Sequence, residues 1–114
     1  MNIQIFGIKK CQDTRKTERY FKERKINYQF IDLTIKGFSK GELNSVQRFI
    51  PLKSLIDIQG KEYQKRNMQY IVHNTENMLL QHPSLFKTPI VRNGTVAATV
   101  GYCPEVWKEW KSND

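Results

Sequence analysis

A chain of 114 residues, with 39% hydrophobic and 26% charged residues, is long enough for one modest core and has the composition of a globular protein. No apolar run approaches the roughly 20 residues that a membrane-spanning helix needs, and the N-terminus lacks a signal-peptide pattern. We therefore expect a single cytoplasmic domain over residues 1–114, with no membrane partner. The net charge of +8 attracts anions in general but does not choose among them.

The first third of the sequence predicts a strand, a helix and a second strand. Ile3 to Phe6 is a short, mostly apolar segment, and Gln12 to Lys25 contains no glycine or proline and is rich in helix-forming residues. Tyr28 to Asp32 alternates in the manner of a half-buried strand. A strand–helix–strand unit of this kind implies parallel pairing, with the helix crossing over the sheet.

The middle of the chain predicts short helices. Ser39 and Glu42 have the spacing of a capping box, so we expect a helix from Lys40 to Arg48. A further helix is expected from Thr75 to Gln81, with the preceding asparagine as its N-cap. Residues from about 38 to 85 should therefore form a helical insert.

The last third predicts two strands and a helix. Ile90 to Arg92 is followed by Asn93-Gly94, the signature of a two-residue type I′ hairpin turn, and Thr95 to Val100 is the returning strand. Pro104 is expected at the first position of a helix that continues from Glu105 to Lys111. The complete order is β-α-β, then the helical insert, then β-β-α, which predicts an α/β protein with a thioredoxin-like fold.

Cys11 lies where the first predicted strand gives way to the first predicted helix. A thiol at this position faces the free N–H groups of the helix's first turn, which, with the helix dipole and the nearby lysines and arginines, favour the thiolate. The adjacent Lys10, Gln12 and Asp13 are polar, which favours an exposed reactive loop over a buried structural cysteine. Thr14 replaces the second cysteine of a Cys-x-x-Cys pair, so only one-thiol chemistry or a distant resolving thiol remains possible.

The second cysteine, Cys103, directly precedes Pro104 and so also stands at a predicted helix N-terminus. It is either a resolving thiol for Cys11 or a partly buried cysteine with no chemical role. The two histidines, His73 and His82, have no metal-ligand spacing with the cysteines, and we expect no metal site. Neither a glycine-rich phosphate loop nor a base-stacking aromatic platform is present in the sequence, and we expect no direct nucleic-acid binding.

Three segments resemble the arsenate reductase (ArsC)/Spx family in the family's order: Phe6 to Lys16, Leu79 to Val91 and Thr99 to Tyr102. The opening Phe-Gly-Ile-Lys-Lys-Cys is most similar to the YffB-like branch. The resemblance implies a thioredoxin-like fold with a helical insert, a cis peptide bond at Pro89 and a nucleophilic Cys11.

The resemblance also implies the roles of the site residues and the reductant. Cys11 and Arg15 would be catalytic, with Arg15 helping to stabilise the thiolate. The substrate-binding residues would be Gln12, Asp13, Thr14, Lys87, Thr88 and Pro89. No bound cofactor is implied; glutathione would be the co-substrate, and glutathione or a glutaredoxin-type protein the reductant of a thiol-dependent oxidoreductase.

Three arginines that hold the oxyanion in the family are replaced here by Thr88, by Cys103 and, in the insert, by about Asp57. Each lost hydrogen bond to a charged group would weaken oxyanion binding by roughly 1.5–3 kcal/mol. These replacements argue against arsenate as the substrate. The alternative is a regulator that resembles Spx and binds RNA polymerase without turnover, although Thr14 removes the Cys-x-x-Cys switch of such proteins.

Overall fold

The computed structural model describes residues 1–112, which contain a four-stranded sheet with the order β2-β1-β3-β4. Its strands are β1 (Ile3–Gly7), β2 (Tyr28–Asp32), β3 (Ile90–Asn93) and β4 (Ala97–Val100). β1 is parallel to β2 and antiparallel to β3, and β3 is antiparallel to β4. A parallel half joined to an antiparallel hairpin is the thioredoxin-like sheet that the sequence predicts.

Six helices and two 3₁₀ turns complete the described chain. The helices are α1 (Gln12–Glu23), α2 (Lys40–Gln47), α3 (Leu52–Leu55), α4 (Lys61–Lys65), α5 (Thr75–Gln81) and α6 (Pro104–Ser112), and the turns are Met68–Tyr70 and Pro83–Leu85. The elements from α2 to the second turn all lie between β2 and β3, so the helical insert is where the sequence places it. Within residues 1–112 every helix is too short or too polar to traverse a lipid bilayer.

Alternating side chains of β1 divide the core between the two faces of the sheet. Ile3 and Ile5 pack with the buried aromatic residues of α1 and α6, whereas Phe6 packs against the residues of the insert. On the first face, the indole N–H of Trp107 donates a hydrogen bond to the Thr99 hydroxyl at 2.9 Å. This bond and the burial of the indole fix α6 against β4.

Two helix starts agree with their sequence signals. Ser39 and Glu42 form a complete capping box, in which the Ser39 hydroxyl accepts from the Glu42 amide and the Glu42 carboxylate accepts from the Ser39 amide. Pro104 is the first residue of α6, where its missing N–H costs nothing.

The first helix ends two residues before the sequence predicts. α1 stops at Glu23 because Lys25 adopts a left-handed conformation, with φ of +57°. The Lys25 amide donates to the Lys22 carbonyl at 3.0 Å, and the Ile26 amide donates to the Phe21 carbonyl at 2.9 Å. These are the two bonds of a Schellman motif, in which a lysine takes the position that glycine usually holds.

The two-residue hairpin turn predicted at Asn93-Gly94 is wrong. Asn93 pairs with Ala97, so the loop between β3 and β4 has three residues, and within it Gly94 carries a positive φ of +53°. Asn93 stays in its strand because it also pairs with Ile3 of β1, and its side-chain oxygen accepts a hydrogen bond from the Asn2 amide at 3.1 Å. Pairing across the sheet therefore overrides the local turn signal.

Candidate active site

The loop from β1 to α1 places Cys11 at the N-cap of α1, with an extended backbone. Its amide donates to the Ile8 carbonyl at 2.9 Å, and its carbonyl accepts from the Arg15 amide at 3.1 Å. The first bond closes a turn from Ile8 to Cys11, and the second joins Cys11 to the first turn of α1. This geometry sets the thiol beside the N–H groups that a helix N-terminus leaves unpaired.

The surroundings lower the pKa of the Cys11 thiol from its ordinary value. Burial is the largest single influence and raises the pKa, but the hydroxyls of Thr14 and Thr88 and the backbone N–H groups of Thr14 and Asp13 together outweigh it. The neutral thiol accepts no capping hydrogen bond, so these donors act chiefly on the thiolate. From the sequence, neighbouring lysines and arginines were also expected to lower the pKa of Cys11. In the structure, the groups that lower it are hydrogen-bond donors.

Thr14 is fully buried beneath the Cys11 loop, and its hydroxyl accepts a hydrogen bond from the Ile8 amide at 3.4 Å. Gly7, the last residue of β1, makes room for it. A Cβ atom at Gly7 would lie only 2.6 Å from Thr14 Cγ2 and 2.7 Å from Thr14 Oγ1. The position of Thr14, and with it one donor to the thiolate, therefore depends on a glycine at the end of the strand.

Thr88 forms the wall opposite Cys11. Its peptide bond to Pro89 is cis, as the family resemblance implies. The Thr88 carbonyl oxygen lies 3.6 Å from Cys11 Sγ and accepts from the thiol. Pro89 is buried, and its carbonyl accepts a hydrogen bond from the Gly101 amide at 2.8 Å, so the wall is tied to the end of β4.

Backbone bonds also attach this wall to the helical insert. Ile56 and Phe86 form an isolated antiparallel bridge. Beside it, the Lys87 amide donates to the Leu55 carbonyl at 2.7 Å and the Asp57 amide donates to the Leu85 carbonyl at 2.8 Å. The end of α3 is thereby held next to Lys87 and Thr88, which brings Asp57 to the site.

A cavity of about 380 Å³ opens between Cys11 and this wall. It is lined by Cys11, Asp13, Asp57, Lys87, Thr88, Val100 and Gly101. Four of these were predicted as site residues, and Asp57 was predicted as the replacement of an arginine. Val100 and Gly101 were missed, because their only signal is a glycine at the end of the last strand; Gly101 has a positive φ of +87°.

The remaining predicted residues lie around the cavity rather than on its surface. Thr14 and Pro89 are buried behind it. Gln12 and Arg15 line a separate depression on the exposed side of α1, together with Lys16 and Arg19. Among residues 1–112 no group of three or more His, Cys, Asp or Glu side chains is arranged to hold a metal ion.

The sequence profile of the ArsC family matches residues 6–110, which is nearly the whole chain. The chain belongs to the ArsC family. The match includes the Cys11 loop, the insert, the cis-proline wall and most of α6, so every part of the cavity lies inside it. No match to the chain is found among curated proteins.

Several solved structures share the ArsC-family fold of this chain. The YffB protein is 21% identical, with a TM-score of 0.82 over 95% of this chain and 97% of that one. An ArsC family related protein from Bacteroides fragilis is 19% identical, with a TM-score of 0.83 over 96% and 97%. An arsenate reductase from Vibrio cholerae is 22% identical, with a TM-score of 0.80 over 96% and 97%. At these identities the likeness shows the fold alone.

The second thiol of this ArsC-family chain lies in a different setting from the first. Cys103 is half-buried against the aromatic cluster between α1 and α6, and its Sγ donates to the Val100 carbonyl at 3.4 Å. Burial raises the pKa of Cys103, Glu105 raises it further, and the Thr99 hydroxyl lowers it in part. Both cysteines are free thiols, and Cys103 is the less ionised of the two at neutral pH.

Proposed function

We propose that this chain is a thiol-dependent oxidoreductase in which Cys11 is the nucleophile. One observation carries the proposal: the thiol with the lowered pKa stands at the N-terminus of α1 and faces an open cavity. The thiolate, and not the thiol, attacks disulfide sulfur, and attack needs access for the second sulfur atom. Cys11 meets both requirements.

The reaction that suits a single thiol is exchange with a glutathione mixed disulfide. The Cys11 thiolate attacks the glutathione sulfur, a bond forms between Cys11 and glutathione, and the substrate leaves as a thiolate that takes a proton from water. A second glutathione thiolate then attacks the sulfur of the bound glutathione. The products are glutathione disulfide and the regenerated Cys11 thiolate, so two electrons pass from glutathione to the substrate and no bound cofactor is needed.

In this mechanism the groups that stabilise the Cys11 thiolate act twice. The donors from Asp13, Thr14 and Thr88 favour the thiolate before attack, and they favour it again as the leaving group of the second step. Lys87 supplies a positive charge on the cavity surface for the carboxylates of glutathione. Arg15 and the exposed Gln12 lie one helical turn or less from the thiol, where Arg15 adds to the positive potential.

Arsenate is not the substrate in this proposal. Asp13 and Asp57 both line the cavity, and Lys87 is the one cationic residue among those that line it. A carboxylate beside an arsenate oxyanion is repulsive, and the partly enclosed setting strengthens the repulsion. Thr88 and Cys103, which stand in place of two family arginines, carry no charge that could offset it.

A glutathione-coupled assay tests the proposed function. The purified protein is mixed with glutathione, glutathione reductase and NADPH, and either a glutathione mixed disulfide or arsenate is added. We expect NADPH oxidation with the mixed disulfide, its loss in Cys11→Ser, and none above background with arsenate. Turnover with arsenate would contradict the substrate assignment, and undiminished turnover in Cys11→Ser would contradict the role of Cys11.

A regulator that binds RNA polymerase remains the alternative reading. Thr14, in place of the second cysteine of a Cys-x-x-Cys pair, removes the redox switch that such a regulator would use. Purified RNA polymerase offered to the immobilised protein separates the two functions. Stoichiometric binding, together with no turnover of any mixed disulfide, would favour the regulator over the enzyme.

A further inference from the structure

A second cavity in the described part of the chain is larger than the one at Cys11. A groove of about 690 Å³ lies on the helical insert, and its apolar surface comes from Leu52, Ile56, Ile58 and Tyr63. Ile58 is 55% exposed, so an apolar side chain of the groove is open to a partner. The proposed chemistry at Cys11 makes no use of this groove.

The groove is joined to the Cys11 cavity through Lys87, which lines both. Thr88, the next residue, has its carbonyl oxygen 3.6 Å from Cys11 Sγ. The bonds that hold Lys87 to Leu55 and bridge Ile56 to Phe86 fix the groove at a set position relative to the thiol. The groove and the Cys11 cavity are therefore neighbours on the surface, with Lys87 between them.

The charge of the groove indicates what it accepts. Two lysines, Lys53 and Lys87, lie on its surface, and no carboxylate of residues 1–112 lines it. An apolar surface bordered by ammonium groups is complementary to an aliphatic side chain next to an acidic one. Val72, which is fully exposed and directly precedes the groove residue His73, extends the apolar surface available to a large partner.

We propose that the groove binds the peptide segment flanking the reactive cysteine of a protein substrate, and that it selects segments with an aliphatic and an acidic residue close to that cysteine. The inference rests on the proposed function and names its substrate class as protein mixed disulfides. Because Lys87 lines both the groove and the Cys11 cavity, residues close to the reactive cysteine in the sequence are the ones that can reach the groove.

A chromogenic peptide disulfide tests the preference directly. The probe is Leu-Glu-Ala-Cys-Ala-Glu-Leu with blocked ends, its cysteine linked to thionitrobenzoate; the sequence reads alike in both directions, so chain polarity does not matter. The comparison peptide carries Ser for Leu and Gln for Glu. Attack of the Cys11 thiolate on the peptide sulfur forms a Cys11–peptide disulfide and releases coloured thionitrobenzoate. A Cys103→Ser background confines the reaction to Cys11.

We expect the Leu/Glu peptide to react about tenfold faster than the Ser/Gln peptide, which is the gain from one desolvated aliphatic side chain and one charge pair. The ratio should fall in Ile58→Ser/Lys53→Gln, in which Lys87 is the one groove lysine left. The matched control Val96→Ser/Lys108→Gln changes an exposed valine on the β3–β4 loop and an exposed lysine on α6, and should keep the full ratio.

Other outcomes of this experiment would overturn the groove assignment or the proposed function. Equal rates for the two peptides, or a ratio that survives in Ile58→Ser/Lys53→Gln, would overturn the groove assignment while leaving Cys11 as the nucleophile. A protein that forms dimers through the groove would show a concentration-dependent mass by sedimentation and no peptide preference, which also overturns it. If neither the peptides nor a small aromatic disulfide reacts with Cys11, the proposed function itself fails.

Discussion

Four hydrogen-bond donors on two segments that are far apart in the sequence lower the pKa of Cys11. Asp13 and Thr14 follow it in α1, whereas Thr88 approaches from the strand side of the site. Burial opposes these donors, so the low pKa of Cys11 is a balance that single substitutions can tip. Substitutions at the start of α1 or at Thr88 should therefore shift the pKa of Cys11.

The contribution of Thr14 can be measured in a Cys103→Ser background. Thr14→Val preserves the shape of this buried side chain but removes the hydroxyl, so we expect it to raise the pKa of Cys11. Thr14→Ser keeps the hydroxyl and should leave the pKa closer to that of the parent. The rate of iodoacetamide alkylation as a function of pH gives each value. An unchanged pKa in Thr14→Val would show that the threonine hydroxyl does not act on the thiolate.

Cys103 is a candidate resolving thiol, and its role stays a prediction. Peroxide converts the Cys11 thiolate to a sulfenic acid, and attack by the Cys103 thiolate then forms a disulfide and releases the sulfenic oxygen as water. Because burial and Glu105 raise the pKa of Cys103, we expect this disulfide to form faster as the pH rises. Peptide mapping after peroxide treatment detects it. Oxidation of Cys11 without a Cys11–Cys103 disulfide at any pH would assign Cys103 a packing role only.

At the scale of elements, the junction of β1 with α1 is the most constrained part of the site. The strand must end on a residue without a side chain, because Thr14 of α1 occupies the space that a Cβ at Gly7 would need. Overpacking of this kind typically costs about 1–3 kcal/mol. The same contact also positions a donor to Cys11, so stability and reactivity are coupled here.

Gly7→Ala should lower the free energy of unfolding by about 1–3 kcal/mol and raise the pKa of Cys11. In a Thr14→Ala background, where the obstructing atoms are absent, the same substitution should cost less. Denaturant titration of the four proteins measures the coupling. An equal cost of Gly7→Ala in both backgrounds would contradict the steric account.

Gly41 provides the matched control for this substitution. It lies in α2, and nothing stands within 4 Å of where its Cβ would be. Gly41→Ala should therefore raise the free energy of unfolding by about 0.5–1 kcal/mol, the usual gain for alanine over glycine in a helix. A loss instead would mean that helix propensity is not the governing effect at this exposed position.

Local signals in the sequence predicted the elements well and the site in part. The strand–helix order, the capping box at Ser39 and the place of Cys11 at the start of α1 each depend on neighbours in the chain, and each is visible as a short pattern. The hairpin loop was predicted wrongly because Asn93 is held by β1, some 90 residues away. Val100, Gly101 and the insert groove were missed for the same reason. Tertiary contacts bring these residues together, and the spacing of residues along the sequence does not show those contacts.

In the whole molecule, the sheet separates two hydrophobic clusters. One face holds α1 and α6 through a cluster of buried aromatic residues, and the other carries the insert, whose α3 is bonded to the wall of the active site. The insert thus contributes Asp57 to the cavity at Cys11 and carries most of the groove.

The net charge of +8 gives the whole protein a long-range attraction for acidic partners. Four cationic residues along the exposed side of α1, Arg15, Lys16, Arg19 and Lys22, line two depressions beside the Cys11 loop. Salt should therefore slow the encounter with acidic disulfide substrates without changing the chemistry at the sulfur.

The site lowers the pKa of the Cys11 thiol, and a single titration measures that shift. The ultraviolet absorbance of the thiolate is followed with pH in Cys103→Ser, with the Cys11→Ser/Cys103→Ser protein subtracted as the blank. We expect the midpoint of this absorbance titration, which is the pKa of Cys11, to lie below the value of about 8.5 that a free cysteine shows. A midpoint at or above that value would contradict it, because Cys11 would then be an ordinary thiol in an ArsC-family fold.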